Sequence, residues 1–447
     1  MMNTTTSQTP TAFSKRRARL FGAVSLALAA TLVPWMPTSA QVNIQCPCDR
    51  NNDGDCLDSV TAGPPSGRYN EAQDAIDQNV QCMHITGGDG FVTMTDGRPL
   101  YIFGFSDQTG TPAADVLSNG LLAAAFPAPA IVVDQGKNFY LSLTNVGMVI
   151  RPDLFDPHTV HFHGFPQSST VFDGLPESGI AINQGATLTY YYNLAEPGTF
   201  MYHCHVEATE HMQMGMLGNL YVLAAQSFIG DSLNGIPAGN LGLNDMECGT
   251  PDDVAGIPCG YVYNDGDGST AYDKEYPLQL GGFDPDFHDA SWAVQPLPFA
   301  LMWDRYPMIN GRGYPDTVNP NPLSAPLENG GIESQVASSL ITATAGQKVL
   351  LRLSNLNITA THTLISPSIP LEVVGIDAKE LMAANGTKLH YTTNSVTMGG
   401  GMSVDVILNT AGVPAGEYYL YASNLQYLAN NDEATDLGGM MTKIVIN

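Results

Sequence analysis

Basic side chains are scarce: 17 Lys and Arg stand against 43 Asp and Glu in 447 residues, a formal net charge of −26 at pH 7. Four of the basic residues, Lys15, Arg16, Arg17 and Arg19, lie in an acid-free N-terminal stretch, so only 13 face the 43 acids in the rest. That imbalance argues against nucleic acid as a partner and favours metal cations or a basic redox protein. Charge of either sign is thin as well, 13% of residues against about 25% in typical domains. Long amphipathic helices are correspondingly few, and beyond the N-terminal stretch no apolar run is long enough to cross a membrane. In their place the chain has 45 Gly and 30 Pro, the composition of many short strands joined by tight turns.

The N-terminus, residues 1–40, reads as a secretory signal peptide. Ser14-Lys15-Arg16-Arg17-Ala18-Arg19 is followed by an apolar run from Leu20 to Val33 and then Thr38-Ser39-Ala40 before Gln41, a basic start, a short apolar stretch and a small-residue end. The expected location is periplasmic or extracellular, with no stable membrane anchor. Arg16-Arg17 fits either the twin-arginine route or a generic basic start.

Seven cysteines fit an oxidising compartment. Setting aside Cys204, six remain, enough for three disulfides: Cys248 and Cys259 pair locally, and Cys46, Cys48, Cys56 and Cys82 allow three connectivities. Within this Cys-rich segment, residues 41–85, Asp49, Asn51, Asp53 and Asp55 have the spacing that starts a calcium loop, but Val60 stands where a closing Glu is expected. Calcium or a plain Asx-rich turn both satisfy that pattern.

Six of the ten histidines fall in two segments, His158-Thr159-Val160-His161-Phe162-His163-Gly164 and His203-Cys204-His205 continuing to His211 and Met216. Successive side chains of a strand point to opposite faces, so one face of a strand pair collects His158 and Cys204, and the other His161, His163, His203 and His205. The loop after Cys204 can return His211 and Met216 to the first group. Two imidazoles, a thiolate and a weak thioether make the environment of a blue, type 1 copper.

The pattern H-x-x-H-x-H followed by H-C-H, then His and Met, resembles the copper motifs of multicopper oxidases and, more loosely, of copper nitrite reductases. The resemblance implies His158, Cys204, His211 and Met216 as type 1 ligands, and His161, His163, His203 and His205 as ligands of a type 2/type 3 cluster. The stretch from Cys204 to His211 is longer by two residues than the usual oxidase motif. The implied fold is all-β, two cupredoxin-like Greek-key β-sandwich domains behind the short Cys-rich segment. A copper-binding domain is expected over 86–227, a linker with the local disulfide over 228–275, and a copper-free domain over 276–447.

The two domains read as repeats. Pro197–Tyr202 leads into His203-Cys204-His205, as Ala415–Leu420 leads into Tyr421-Ala422-Ser423. Leu141–Asn145 before His158 matches Leu351–Asn355 before His362, with Ile365 and Pro367 in place of His161 and His163. One position of the ligand set survives there. The family's trinuclear cluster takes further His pairs from a partner domain, and His84, His288, His362 and His390 supply none.

Three functions fit. In the first, an oxidase takes electrons from a small molecule, metal ion or redox protein at a type 1 copper. It passes them from Cys204 through His203 and His205 to a cluster shared between subunits of a homo-oligomer, with dioxygen as acceptor. The second is a blue-copper carrier or copper-binding protein with no cluster. The third is a nitrite-reductase-like enzyme, disfavoured because His161 stands where an Asp proton donor is expected and Asn424 near the expected third ligand. Electrons are expected to enter at a surface edge beside His211. Glu207 and Glu210 are candidate proton carriers or plain loop acids; Met212 and Met214, Cu(I) guides or packing; His362, a relic or a core histidine; and Tyr190-Tyr191-Tyr192, strand packing.

Overall fold

A computed structural model describes residues 42–49, 52–54, 79–241, 246, 248, 254–431 and 437–447. The first half is built from β1 (Val80–Thr93), β2 (Pro99–Asp107), β3 (Ile131–Asp134), β4 (Asn138–Gly147), β5 (His161–His163), β6 (Thr187–Asn193), β7 (Gly198–His203) and β8 (Leu217–Leu223). They form two facing sheets, ordered β2-β1-β4-β6 and β3-β8-β7-β5. Alternation sets the faces. Phe139, Leu141 and Leu143 of β4 and Tyr190 and Tyr192 of β6 enter the core, while Tyr191 points outward.

After a small pair, β9 (Gly260–Tyr261) and β10 (Ala271–Tyr272), the second half repeats the plan. Its strands are β11 (Lys274–Phe283), β12 (Tyr306–Ile309), β13 (Ile341–Ala343), β14 (Lys348–Asn355), β15 (His362–Ile365), β16 (Leu371–Ile376), β17 (Lys379–Glu380), β18 (Tyr391–Thr393), β19 (Ser395–Met398), β20 (Met402–Asn409), β21 (Gly416–Ala422) and β22 (Met441–Ile446). One sheet runs β12-β11-β14-β20-β16-β17, with β18 on β16; the other runs β13-β22-β21-β15-β19. The order β13-β22-β21-β15 reproduces β3-β8-β7-β5, and β12-β11-β14-β20 reproduces β2-β1-β4-β6. The repeat read from sequence is therefore a repeat of topology.

Neither half is purely antiparallel. β1 with β4, β3 with β8, β11 with β14 and β13 with β22 pair in parallel, because chain excursions between the paired strands return each in the same direction. Strand β1 crosses position 85, where the sequence suggested the Cys-rich segment ends, and Cys46 is joined to Cys82 within that strand. Cys48 is also disulfide-bonded, and Cys248 joins Cys259. The longest α-helix among the described residues is Pro285–Trp292, and no helix there is long and apolar enough to cross a membrane.

The two sandwiches meet where β7 packs on β14 and β20. Buried Arg352 reaches Glu275 (2.5 Å) and Asp405 (3.9 Å) and lies 5.5 Å over the Tyr221 ring. Thr199 and Tyr263 both donate hydroxyl protons to Asp405 at 2.6 Å, and Tyr272 donates to Glu275 at 3.1 Å. Hydroxyl donors thus satisfy by hydrogen bonding the second carboxylate, from which the one guanidinium stands farther. Arg352→Leu would leave two buried acids without a cation, and a loss of about 3–5 kcal/mol of folding stability is expected in denaturant melts.

Candidate metal centres

The register of the two short strands puts the histidines where parity requires. In the antiparallel pair β5/β7, His161 faces His203, Phe162 faces Tyr202 and His163 faces Met201. His161, His163, His203 and His205 gather on one side, with ring centroids 5.1–5.5 Å apart for His161–His203, His161–His205, His163–His203 and His203–His205. Phe162 and Tyr202 point the other way, into the first core.

On that buried side, His158, Cys204 and His211 bring their ligand atoms within 4.8 Å of one another. His211 Nδ1 lies 3.2 Å from Cys204 Sγ, and the Thr159 N–H points at the same sulfur (3.5 Å). Cys204 is the free cysteine among the described residues. Both ring nitrogens of His158 and the Nε2 of His211 are buried without a hydrogen-bond partner, an arrangement that a bound cation relieves. Buried Met216 is tied to the same residues through its backbone. Cys204 N–H donates to its carbonyl (3.1 Å), and its own N–H donates to His211 O (2.8 Å). Burial pushes the Cys204 thiol up, but the His211 and His158 imidazoles outweigh it and hold the sulfur well below its ordinary range, as a metal-binding thiolate requires.

A glycine makes room for this set. A Cβ on Gly87 of β1 would stand 2.9 Å from His158 Cδ2 and 3.3 Å from Met216 Cε. Gly87→Ala is therefore expected to displace both side chains and lower copper affinity about 10–100-fold, the range for disturbing the support of a metal ligand. Chelator competition on the folded variant measures it.

The two additional residues between Cys204 and His211 are taken up by a helical turn. Glu207 adopts a left-handed conformation (φ 44°) and opens the helix Ala208–Gln213, which carries His211 back to Cys204. This corrects the expected surface edge at His211. The ring is fully buried, with Phe103 edge-on at 5.6 Å and the Asp156 carboxylate 3.8 Å from Nε2. In the segment that carries Asp156, Ile150 and Leu154 pack against the first core. The helix is also tied from the second half. His288 Nε2 lies 3.1 Å from Gln213 O, its Nδ1 donates to Tyr101 O (2.6 Å), and the Gln213 side chain donates to Asp304 (3.2 Å).

The four-histidine side opens into a cavity of about 520 Å³. Its near wall includes the four imidazoles and Met212; its far wall is residues 356–361 with Gly400 and Gly401, from the second half of the same chain. His161 Nδ1 donates to Asp173 O (2.6 Å) and His203 Nδ1 to Cys204 O (2.8 Å), which leaves the Nε2 atom of each unprotonated and able to act as a metal ligand or a hydrogen-bond acceptor. His163 Nδ1 lies 3.3 Å from His203 Nε2. Burial drives His203 down to about 3 and, together with neighbouring imidazoles, lowers His163 as well. Both are neutral and ligand-competent at neutral pH. The far wall presses close, since a Cβ on Gly401 would come within 2.5 Å of His163 Nε2.

The remaining candidates separate cleanly. Met214 is buried in the first core, whereas Met212 borders the cavity. Glu210 is half-buried beside His211, and burial raises its carboxyl. His84 is a core residue, hydrogen-bonded through Nε2 to Thr144 (2.8 Å) and pushed by burial to about 4. Of the calcium candidates, Asn51 and Asp55 lie outside the described residues. Asp49 accepts backbone N–H groups from Asn52 (2.6 Å), Asp53 (3.3 Å) and Gly54 (2.8 Å). Sequence reasoning missed Gly87, Asp156, Asp173, His288 and Gly401. Asp156 stands two positions before His158, a proximity that could have marked it; the others carry no local signal.

Two sandwiches of one topology, with a buried His/Cys/His/Met group and a histidine face joined through consecutive residues, define a two-domain copper protein of the cupredoxin class. The chain matches two models described as multicopper oxidase, over residues 109–227 and 302–445. It belongs to the multicopper oxidase family, whose metal is copper. It is 32% identical to Laccase-1 of Emericella nidulans over 119 residues, 26% of this chain and 17% of the laccase. The matched stretch thus spans under a fifth of that relative. Among solved structures, the blue copper oxidase of Nitrosomonas europaea superposes with a TM-score of 0.55 at 22% identity, covering 81% of this chain and 85% of that one. The copper nitrite reductase of the same organism superposes with a TM-score of 0.51 at 15% identity, over 82% and 93%. Both likenesses are of fold.

Proposed function

We propose that this chain is an exported, copper-dependent oxidoreductase of multicopper-oxidase type. When bound, a type 1 copper at His158, Cys204, His211 and Met216 supplies one-electron acceptance, and a cluster at His161, His163, His203 and His205 supplies dioxygen reduction. The electron donor is a small molecule, a metal ion or a redox protein. The carrying observation is the adjacency of the two groups: Cys204 shares peptide bonds with His203, the last residue of β7, and with His205 just beyond it, and both imidazoles line the cavity while the sulfur is buried. The chain thereby offers a covalent path of one residue from the buried sulfur to the open cavity. Asp173 and the Cys204 carbonyl fix the tautomers of His161 and His203.

The far wall of the cavity adds no ligand. Leu356, Asn357, Ile358, Thr359, Ala360, Thr361, Gly400 and Gly401 include no His, Cys or acid. A trinuclear cluster then requires histidines from a second chain entering the open side, and we propose that the active form is a homo-oligomer sharing that cluster. The same bare wall favours the second reading, a blue-copper carrier or copper-binding protein. For a nitrite-reductase-like site, the Asn424 side chain instead caps a turn by accepting from Gln426 N (3.1 Å).

Copper per chain, measured beside molar mass in solution, separates these. A shared cluster gives about 2.5 coppers per chain in a dimer, two type 1 ions and three shared ions per pair. A value of about one, with only a type 1 spectrum, removes the shared cluster and leaves the carrier.

A further inference from the structure

The second domain reproduces the hydrogen bonds of the buried metal group. In the first, Cys204 N donates to Met216 O (3.1 Å) and Met216 N to His211 O (2.8 Å). In the second, Ala422 N donates to Met440 O (2.9 Å) and Met440 N to Tyr427 O (2.8 Å). Met440 thus stands where Met216 stands, and Tyr427 where His211 stands. The rings correspond too: His158 and His211 lie 5.3 Å apart at 64°, His362 and Tyr427 4.7 Å apart at 72°.

Two differences turn this relic into a different site. The thiolate is gone, replaced by Ala422. Across from the surviving histidine, the first domain pairs His158 with Ile182, whereas the second pairs His362 with Met398. The domain without the thiolate therefore carries a thioether where the other has an inert side chain. His362, Met398 and Met440 are all fully or almost fully buried. Among the described residues, His158 and His362 are the histidines with both ring nitrogens buried and unpartnered. A buried polar group without a partner calls for an explanation such as a bound ion, and an imidazole with thioethers is a ligand set for a soft, monovalent metal.

We propose that the second domain holds a separate metal site, in which His362, Met398 and Met440 bind a soft monovalent cation, Cu(I) or Ag(I). Both ions have filled d shells, so the site is colourless. It shares no residue with the histidine face, so it stands whether or not a cluster forms there.

The test counts Cu(I) in copper-loaded protein reduced by ascorbate without oxygen, by competition with bicinchoninate. Wild type is compared with His362→Phe and with the paired Met398→Ile and Met440→Leu. Both variants are expected to hold one Cu(I) fewer per chain, to regain the type 1 spectrum on reoxidation, and, for the methionine pair, to lose sulfur neighbours in X-ray absorption. Repeating the count with His161→Ala and His163→Ala in the background should leave the one-copper difference intact, which separates this site from the face. Equal copper counts in wild type and in both variants overturn the site and leave the methionines as adaptable packing. Ala422→Cys covers the case of variants that do not fold. Restoring sulfur beside His362 and Met440 should tighten Cu(I) binding at this site in the same bicinchoninate competition, and a folded Ala422→Cys protein with unchanged competition also overturns the proposal.

Discussion

Cys204→Ser is expected to abolish the blue colour and all electron transfer from an external donor while the fold persists. The intense visible absorption of a type 1 copper is charge transfer from a thiolate, and the path toward the cavity starts at that sulfur. Cys204 is predisposed to ionise because His211 Nδ1 sits 3.2 Å from its sulfur and the two buried imidazoles outweigh the burial that opposes ionisation. A serine hydroxyl has no comparable tendency and no low-energy sulfur orbital. Serine is nearly isosteric and enters among residues already tolerant of a polar atom, so the thermal transition should move by only a few degrees, about 1–2 kcal/mol. An intense red-region absorption surviving in the serine variant would remove Cys204 from the copper.

His161→Ala combined with His163→Ala is expected to leave the type 1 spectrum in place and to lower dioxygen consumption more than about 100-fold, beyond the loss typical of disturbing a ligand's outer support. The separation of effects follows from the strand: these side chains face the cavity, whereas Cys204, His158 and His211 face the core. The measurement pairs visible spectroscopy with an oxygen electrode on the same preparation. Turnover unchanged in the double variant would exclude a cluster on this face and transfer the function to electron carriage.

Parity carried a large part of the site. His161, His163 and His203 sit on a pair of short strands, where the direction of each side chain follows from its position alone; His205 lies just past the end of its strand and joins them at the cavity. The loop was less legible. The two additional residues after Cys204 announce a longer excursion but not that Glu207 turns left-handed and starts a helix. Nor does the sequence near His211 say that the carboxylate of Asp156, 55 positions away, lies 3.8 Å from Nε2 of a fully buried ring.

The repeat shows the same division. The match of Leu141–Asn145 with Leu351–Asn355, and of His203-Cys204-His205 with Tyr421-Ala422-Ser423, identified two copies of one unit, because strand alternation and turn residues are properties of short segments. Sequence spacing recovered one of the surviving positions, His362. Tyr427 and Met440 emerged from backbone hydrogen bonds, since loops of unequal length hide equivalent positions along the chain. The sequence by itself determined the strand faces, the thiolate and the imidazoles available to copper, all set by local backbone geometry. The tertiary structure alone decided what those groups meet: Gly87 beneath His158, the ligand-free wall of residues 356–361 across the cavity, and Met398 opposite His362. Those contacts join residues well separated in the chain, and only the pairing of strands and the packing of sheet on sheet and domain on domain bring them together.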